Sequence, residues 1–191
     1  MRLIIICALF FAGLAFYPAK AQEYRKLRLG AGTGFGATAG MQGSGGPVFY
    51  LEPAFLITDK LLIGLRIEAA SITRGLSRSI AIDNPTTQYG SGSVFSQYYF
   101  GKKYLRAFIG TGAGIVSKSK EELIVDFGGV SAFQIGSMQL GLFFRAGMEW
   151  GHLHTAIDYN FIGDEIVSPF LEIKNSYPSI RVGILFGGGI H

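Results

Sequence analysis

The sequence predicts an all-β fold, a closed up-and-down barrel of eight antiparallel strands. Apolar and polar residues alternate with a period of two along most of the chain, which is the pattern of strands whose two faces meet different environments. Glycine is abundant, with 28 of 191 residues, and charged residues make up only 16%. An apolar content of 49% excludes a disordered chain, and a single cysteine excludes a disulfide-stapled domain.

The N-terminal segment is typical of a cleaved signal peptide. An apolar stretch runs from Leu3 to Tyr17, and the residues after it have the small-x-small form of a signal-peptidase site. We expect residues 1–21 to be removed by cleavage after Ala21, leaving residues 22–191 as the barrel domain. An uncleaved anchor is the alternative, but the stretch is short for a spanning helix, which needs about 20 residues. The mature chain has 15 basic and 13 acidic residues, a net charge of +2 that is too small to indicate nucleic-acid binding.

In the first half of the mature chain, one set of alternating residues is apolar and the other carries the charges and most glycines. The apolar sets of the first three predicted strands are Leu27, Leu29, Ala31, Thr33, Phe35 and Ala37; then Phe49, Leu51, Phe55 and Ile57; then Leu61, Ile63, Leu65 and Ile67. A fourth strand is predicted over residues 89–100. It is rich in aromatic residues and serine, so its two faces cannot be assigned from the sequence.

The second half repeats the pattern four times. The apolar sets of the fifth to eighth predicted strands are Leu105, Ala107, Ile109, Ala113 and Ile115; then Leu140, Leu142, Phe144, Met148 and Trp150; then Leu153, Ile157, Tyr159 and Phe161; then Ile180, Val182, Ile184 and Phe186. Eight strands fill the mature length and leave no segment for a helix.

The connections between these strands alternate in length. Three are tight turns, at Thr58–Lys60, Gly101–Lys103 and Gly151–His152, and four are longer, at Met41–Gly46, Gly75–Gln88, Ser117–Met138 and Gly163–Ser176. Short turns at one end and long loops at the other are typical of a membrane barrel. Two short apolar runs in the third long connection, Leu123–Val125 and Phe133–Ile135, predict a strand extension beyond the membrane.

The charged set decides which face points inward. It contains Arg28, Glu52, Arg66, Glu68, Arg106, Arg145, Asp158 and Arg181 near mid-strand. Against lipid, five arginines at about 2 to 4 kcal/mol each would cost about 10 to 20 kcal/mol, comparable to the whole stability of a domain, about 5 to 15 kcal/mol. A soluble lipocalin-like barrel would turn this set to water, but it leaves a glycine-rich water face unexplained. We therefore predict a transmembrane barrel in which these eight residues form a structural charge network in the lumen, with glycines giving the arginines room.

Several segments resemble a known family. They are the glycine-alternating first strand, Tyr98–Gly101, Arg106–Gly114, Arg145–Glu149 with Asp158–Asn160, and Gly183–Gly188. Together they are similar to the small outer-membrane β-barrel proteins of the OmpX/OmpA type, often called porin-family proteins.

The resemblance implies a non-enzymatic monomer in the outer membrane of a Gram-negative cell envelope, structural or adhesive in role. Outer-membrane lipids would surround it, and periplasmic chaperones and the barrel-assembly machinery would insert it. Its long loops would bind an extracellular ligand or partner, and nucleic acid is not expected. A lipid-modifying enzyme and a narrow pore remain the alternatives.

Two motifs point to chemistry but only weakly. Gly32–Ala37 matches the dinucleotide pattern G-x-G-x-x-A, yet the alternation runs straight through it where that motif needs a helix. His152 and His154, with Glu149 nearby, suggest a metal site or a lipid-modifying centre. No third ligand is fixed by spacing, and the serine of a His-x-Ser pair is missing. We therefore predict no catalytic residue, no cofactor and no metal.

Overall fold

The computed structural model describes residues 25–37, 45–73, 86–101, 104–119, 121–126, 130–135, 138–163, 165–168, 171–173 and 175–187. The expected signal peptide and parts of the long connections lie outside these residues. Within the described part of the chain, no helix is long and apolar enough to cross a membrane.

Twelve strands are present in the described residues, and eight of them form a closed barrel. They are β1 (Leu27–Gly36), β2 (Gly46–Thr58), β3 (Leu61–Thr73), β4 (Thr86–Phe100), β5 (Leu105–Lys118), β6 (Glu121–Asp126), β7 (Val130–Ile135), β8 (Met138–Trp150), β9 (Leu153–Ile162), β10 (Glu165–Ser168), β11 (Leu171–Ile173) and β12 (Tyr177–Phe186). The barrel order is β1-β12-β9-β8-β5-β4-β3-β2, with every pair antiparallel and β1 closing on β12. The predicted eight-stranded up-and-down barrel is confirmed.

The two ends of the barrel differ. At one end, which we call the turn end, strands are joined by the short segments 59–60, 101–104 and 151–152; the other end, the loop end, carries the long connections. The apolar runs predicted as a strand extension lie in β6 and β7, which pair as a separate two-stranded sheet. A second hairpin, β10 with β11, was not predicted.

Local chemistry explains the tight turns. The backbone φ angles of Gly101 and Gly151 are 84° and 59°, in the left-handed region that other residues rarely adopt. In the turn between β2 and β3, the Thr58 hydroxyl accepts hydrogen bonds from the backbone N–H groups of Lys60 (3.3 Å) and Leu61 (3.1 Å). Each tight turn therefore contains a residue that stabilises it: Thr58 through its hydroxyl group, and Gly101 and Gly151 through their left-handed backbone conformation.

The apolar faces point outward. Leu65 and Ile67 are 54% and 60% exposed. Arg66 and Glu68, which alternate with them along β3, are 3% and 4% exposed. This orientation is that of the membrane-barrel interpretation and is opposite to that of a lipocalin-like barrel. In β4, whose faces the sequence left unassigned, Phe95 and Tyr99 point inward and Val94 points outward.

Two aromatic residues lie elsewhere than expected. From the sequence, the aromatic residues near the strand ends are predicted to lie in the two interfacial girdles of a membrane barrel: Tyr24, Tyr98, Tyr99, Phe100, Tyr104, Trp150, Tyr159, Phe161 and Tyr177. Tyr99 and Tyr177 are instead buried inside the barrel. Each hydroxyl donates a hydrogen bond to an interior carboxylate, Tyr99 to Glu149 and Tyr177 to Glu68. The polar end of tyrosine thus suits the interior as well as a membrane interface. Tyr24, also expected in a girdle, lies outside the described residues.

Apolar side chains fill the interior in two clusters. One lies toward the turn end and contains Ala54, Leu56, Leu62, Phe95, Tyr99, Phe108, Phe143 and Ala156. The other lies toward the loop end and contains Val48, Ala70, Ile72, Tyr89, Val116, Ile162 and Tyr177. Charged side chains lie among and between these clusters.

Candidate functional site

Nine charged side chains meet inside the barrel, and we call them the interior charge network. Eight are the residues expected from the sequence, and the ninth is Glu149: Arg28, Glu52, Arg66, Glu68, Arg106, Arg145, Glu149, Asp158 and Arg181, each at most 6% exposed. Glu149 was omitted from the predicted set although it shares the inward face of β8 with Arg145. The alternation alone was sufficient to include it.

Toward the turn end, Glu149 is the centre of one group. Its carboxylate accepts hydrogen bonds from Arg28 Nη1 (2.8 Å to Oε1), from the Tyr99 hydroxyl (2.8 Å) and from Arg106 through Nε (3.2 Å) and Nη2. The Arg106 guanidinium also stacks on the Tyr99 ring, 3.8 Å from its centroid. Arg106 Nη1 donates to the backbone carbonyl of Asp59 (3.2 Å), which ties this group to the first tight turn.

In the middle of the barrel, one carboxylate meets three arginines. Asp158 Oδ2 lies 2.8 Å from Arg66 Nη1, 3.1 Å from Arg145 Nη2 and 3.0 Å from Arg181 Nε. The Asp158 side chain is completely buried. Three guanidinium groups therefore share one carboxylate that water does not reach.

Two glutamates complete the central group. Glu52 receives a bidentate pair of hydrogen bonds from Arg145, at 2.7 and 2.9 Å. Glu68 lies 2.7 Å from Arg181 Nη2 and 3.2 Å from Arg66 Nε. A bidentate arginine–carboxylate pair fixes both side chains in one geometry.

Neutral groups satisfy the remaining atoms of Arg66 and Glu68. Asn160 Oδ1 accepts a hydrogen bond from Arg66 Nη2 (2.9 Å), and the Tyr177 hydroxyl donates to Glu68 (2.7 Å). The Arg66 guanidinium lies over the Phe143 ring at 3.5 Å. Polar and aromatic partners thus replace the water that these charges lose on burial.

The ion pairs of the network connect strands that are not hydrogen-bonded neighbours in the sheet. Arg66 on β3 and Asp158 on β9 come from strands four places apart in the eight-stranded ring, as do Arg145 on β8 and Glu52 on β2. Four places is the largest separation that such a ring allows. The ion pairs therefore cross the barrel.

Two small cavities lined by described residues border this network. One of about 20 Å³ is lined by Arg66, Ser93, Phe143, Asn160 and others, and one of about 10 Å³ is lined by residues that include Gln97 and His154. A cavity needs about 10 to 15 Å³ to hold one water molecule. Each therefore has room for about one water.

Glycine lies opposite arginine at two positions across the sheet, which leaves room for the long side chain. Gly110 pairs across the sheet with Arg145, and Gly34 pairs with Arg181. A Cβ atom on Gly110 would lie 3.1 Å from Arg145 Cγ and 2.7 Å from the Ser96 carbonyl oxygen. Both distances are shorter than ordinary van der Waals contact.

We expect Gly110→Ala to lower the free energy of unfolding by about 1 to 3 kcal/mol, because the added methyl overpacks the site and displaces Arg145. Gly92→Ala is the matched control, since a Cβ there would meet nothing within 4 Å. Urea unfolding in lipid vesicles, followed by the gel shift between folded and unfolded bands, measures both. Equal stability of the two variants would show that Arg145 does not need the space.

The histidines do not form a joint site. The His154 ring is buried and stacks on Phe108 with centroids 4.9 Å apart, whereas His152 is exposed in its turn, with Nδ1 2.9 Å from the Leu185 carbonyl oxygen. Glu149 is bound to two arginines. Within the described ranges, no group of three or more His, Cys, Asp or Glu residues could hold a metal ion. The dinucleotide-like glycines lie inside β1, with no helix after them.

Comparison with known proteins identifies the fold. No protein-family model matches the sequence, and no curated protein is significantly similar to it. Among solved structures, Neisserial surface protein A (NspA) matches with a TM-score of 0.55 and 12% identity over 84% of this chain and 96% of that one.

Two further structures match at lower scores. The attachment invasion locus protein Ail of Yersinia pestis matches with a TM-score of 0.46 and 14% identity, over 86% of this chain and 100% of that one. The N-terminal β-barrel domain of Pseudomonas aeruginosa OprF matches with 0.43 and 14%, over 87% and 100%. The match to NspA covers nearly all of that chain, so the small-barrel fold implied by the family resemblance is confirmed.

Proposed function

We propose that this chain, which has the fold of small outer-membrane barrels, is itself an integral protein of a Gram-negative outer membrane. In this proposal its role is structural or adhesive, with partners bound through the long loops. The observation that carries the proposal is the outward apolar belt. At mid-strand, Leu65, Ile67, Ile109, Leu142 and Ile157 are each more than half exposed. A soluble monomer rarely exposes a contiguous apolar surface of this kind.

Outward hydroxyl groups support a lipid environment. Thr33, Thr111 and Thr155 lie on the outer face, and each donates a hydrogen bond to a backbone carbonyl: Val48 (3.0 Å), Phe143 (3.0 Å) and Met148 (3.3 Å). In hydrocarbon no water would satisfy these groups, so an internal acceptor is needed.

Exposed aromatic residues mark the boundary of the belt. Tyr98, Phe100, Tyr104 and Trp150 all lie at the turn end and are 41% to 60% exposed. Amphipathic rings are favoured where hydrocarbon meets headgroups. Their position supports a membrane interface at this end of the barrel.

The interior charge network has a structural role in this proposal. Unpaired buried charge is very costly, so five arginines and four carboxylates that pair across the barrel hold its opposite walls together. The same side chains, with the two apolar clusters, plug the lumen.

A plugged lumen predicts the absence of a pore. We expect no discrete conductance steps from the purified protein in planar bilayers, because the cavities of about 20 and 10 Å³ have room for single waters only. Arg145→Ala removes a large side chain from the centre of the barrel, so it is the variant most suited to create conductance steps. Steps of the same size in the parent protein would favour the pore alternative.

The long loops are the proposed site for an extracellular ligand or partner, and the charge network is not proposed as a catalytic centre. The β6–β7 and β10–β11 hairpins give two of these loops their own hydrogen-bonded structure. Deletion of residues 74–85, replaced by a short turn, is expected to leave the barrel folded.

Fractionation of expressing cells tests the location. We expect the protein in the outer-membrane fraction, resistant to a detergent that dissolves the inner membrane, and running as a faster band before boiling than after. Lipids, periplasmic chaperones and the assembly machinery are its proposed contacts on that route. Recovery in the periplasmic fraction without detergent would overturn the proposal.

A further inference from the structure

Charge is distributed unevenly along the barrel axis. The loop-end connections (37–45, 74–85, 119–137 and 163–176) contain 4 basic and 7 acidic residues, a net charge of −3. The turn-end segments (22–26, 59–60, 101–104, 151–152 and 187–191) contain 5 basic and 2 acidic residues, a net charge of +3. The turn end therefore attracts anions and the loop end repels them.

Part of this positive charge lies in one sector of the rim. Arg25 and Lys26 precede β1, Lys60 lies in the turn between β2 and β3, and all three are exposed. Lys26 accepts a backbone hydrogen bond from Leu56 of β2 (2.7 Å), and Lys60 accepts one from Tyr99 of β4 (2.8 Å). The three basic residues thus belong to neighbouring strands.

Exposed aromatic and aliphatic residues occupy positions next to these cations in sequence or in strand register. Tyr98 and Phe100 flank the residue that bonds Lys60, and their rings meet edge to face with centroids 5.4 Å apart. Leu27, next to Lys26, is 75% exposed. A row of cations over an apolar and aromatic belt matches a phospholipid, whose charged headgroup lies above its acyl chains.

We propose that Arg25, Lys26 and Lys60, with Tyr98 and Phe100, form a turn-end basic sector that binds anionic phospholipid headgroups in preference to zwitterionic ones. This inference rests on the proposed membrane insertion. The lysine ammonium groups pair with the headgroup phosphate, and the aromatic pair contacts the glycerol region and upper acyl chain. The sector thereby selects the lipid neighbours of the barrel at that leaflet.

The fluorescence of a single tryptophan placed beside the sector can measure which lipid is bound there. The chain has one tryptophan, Trp150, on β8, three places around the ring from β1, which follows Lys26. The variant Leu27→Trp combined with Trp150→Phe moves the fluorophore next to Lys26. Brominated phosphatidylglycerol and brominated phosphatidylcholine, each mixed into vesicles, quench the fluorophore in proportion to their occupancy at that position.

We expect phosphatidylglycerol to bind at least about threefold more strongly than phosphatidylcholine at low salt, since each basic residue near the surface attracts anionic lipid. Lys26→Gln with Lys60→Gln should reduce the ratio to about one, and salt should reduce it by screening. The matched control, Arg74→Gln with Arg78→Gln, removes two charges from the β3–β4 connection and should leave the ratio unchanged. The gel shift on boiling confirms that each variant is folded.

The outcomes separate the two proposals. Equal quenching by both lipids in the parent, or a ratio that the lysine substitutions leave unchanged, overturns the basic sector while membrane insertion stands. A ratio that falls equally in the loop-end control also overturns it, because the preference would then come from overall charge. If neither lipid quenches a folded protein, the chain is not in the bilayer and the proposed function fails first.

Discussion

Asp158→Asn is expected to lower the free energy of unfolding by about 3 to 5 kcal/mol, because it removes one partner of a buried ion network. The Asp158 carboxylate lies within 3.1 Å of three guanidinium groups, those of Arg66, Arg145 and Arg181, and has no exposed surface. Asparagine keeps the size and one acceptor oxygen but not the charge. Three arginines would then share two glutamates in a site that water does not reach.

The same substitution in a long connection is the control. Asp83→Asn, between β3 and β4, is expected to change stability by less than about 0.5 kcal/mol, as surface substitutions usually do. Urea unfolding in vesicles, scored by the gel shift, compares the two variants. Similar stabilities would contradict a structural role for the central group.

Moving the carboxylate from position 158 to position 160 tests whether the charge or the packing of Asp158 stabilises the barrel. Asn160 lies on the same inward face as Asp158 and already accepts a hydrogen bond from Arg66 at 2.9 Å. Adding Asn160→Asp to Asp158→Asn restores a carboxylate within reach of Arg66 and should recover part of the lost stability. No recovery would indicate that position 158 acts through packing and not through its charge.

Leu65→Arg is expected to lower the free energy of unfolding in a bilayer by about 2 to 4 kcal/mol, the cost of a basic side chain at the membrane midplane. Leu65 lies at the middle of the outward face of β3 and is 54% exposed. On a soluble barrel, an arginine at so exposed a position would have little effect.

The control for this substitution is an arginine placed nearer the membrane surface on the same strand. Ser71 lies on the same outward face of β3, close to the loop end. We expect Ser71→Arg to cost about 0 to 1 kcal/mol, because the side chain reaches the interface. Equal, small costs at both positions would mean that no hydrocarbon surrounds the barrel.

The sequence predicts those strands best whose two faces differ most. In β3, leucine and isoleucine alternate with arginine and glutamate. The period of two predicted the strand, and the cost of arginine against lipid predicted which face points inward. In β4, Gly90–Ser93 are small on both faces, so hydropathy could not orient the strand. The β10–β11 hairpin escaped prediction because strands of four and three residues are too short to show a period.

The charged residues of the interior could be predicted, but their partners could not. Arg145 and Glu52 are 93 positions apart in sequence, and their contact depends on closure of the ring and on the register of the four strand pairs that separate β8 from β2 in either direction. The two adjacent tyrosines of β4 were both predicted to lie outside, although adjacent strand residues alternate faces. Parity therefore required one of Tyr98 and Tyr99 to point inward, and the structure shows that it is Tyr99.

Spin labels along one strand test most directly whether hydrocarbon surrounds this barrel. The only cysteine, Cys7, lies in the expected signal peptide, so single substitutions to cysteine at Leu61, Ile63, Leu65, Ile67, Ala69 and Ser71 can each carry one label in the mature chain. In vesicles, we predict that molecular oxygen relaxes the labels at Leu65 and Ile67 most strongly, while a water-soluble nickel complex reaches only those near Leu61 and Ser71. Strong relaxation by the nickel complex at Leu65 and Ile67 would contradict the account.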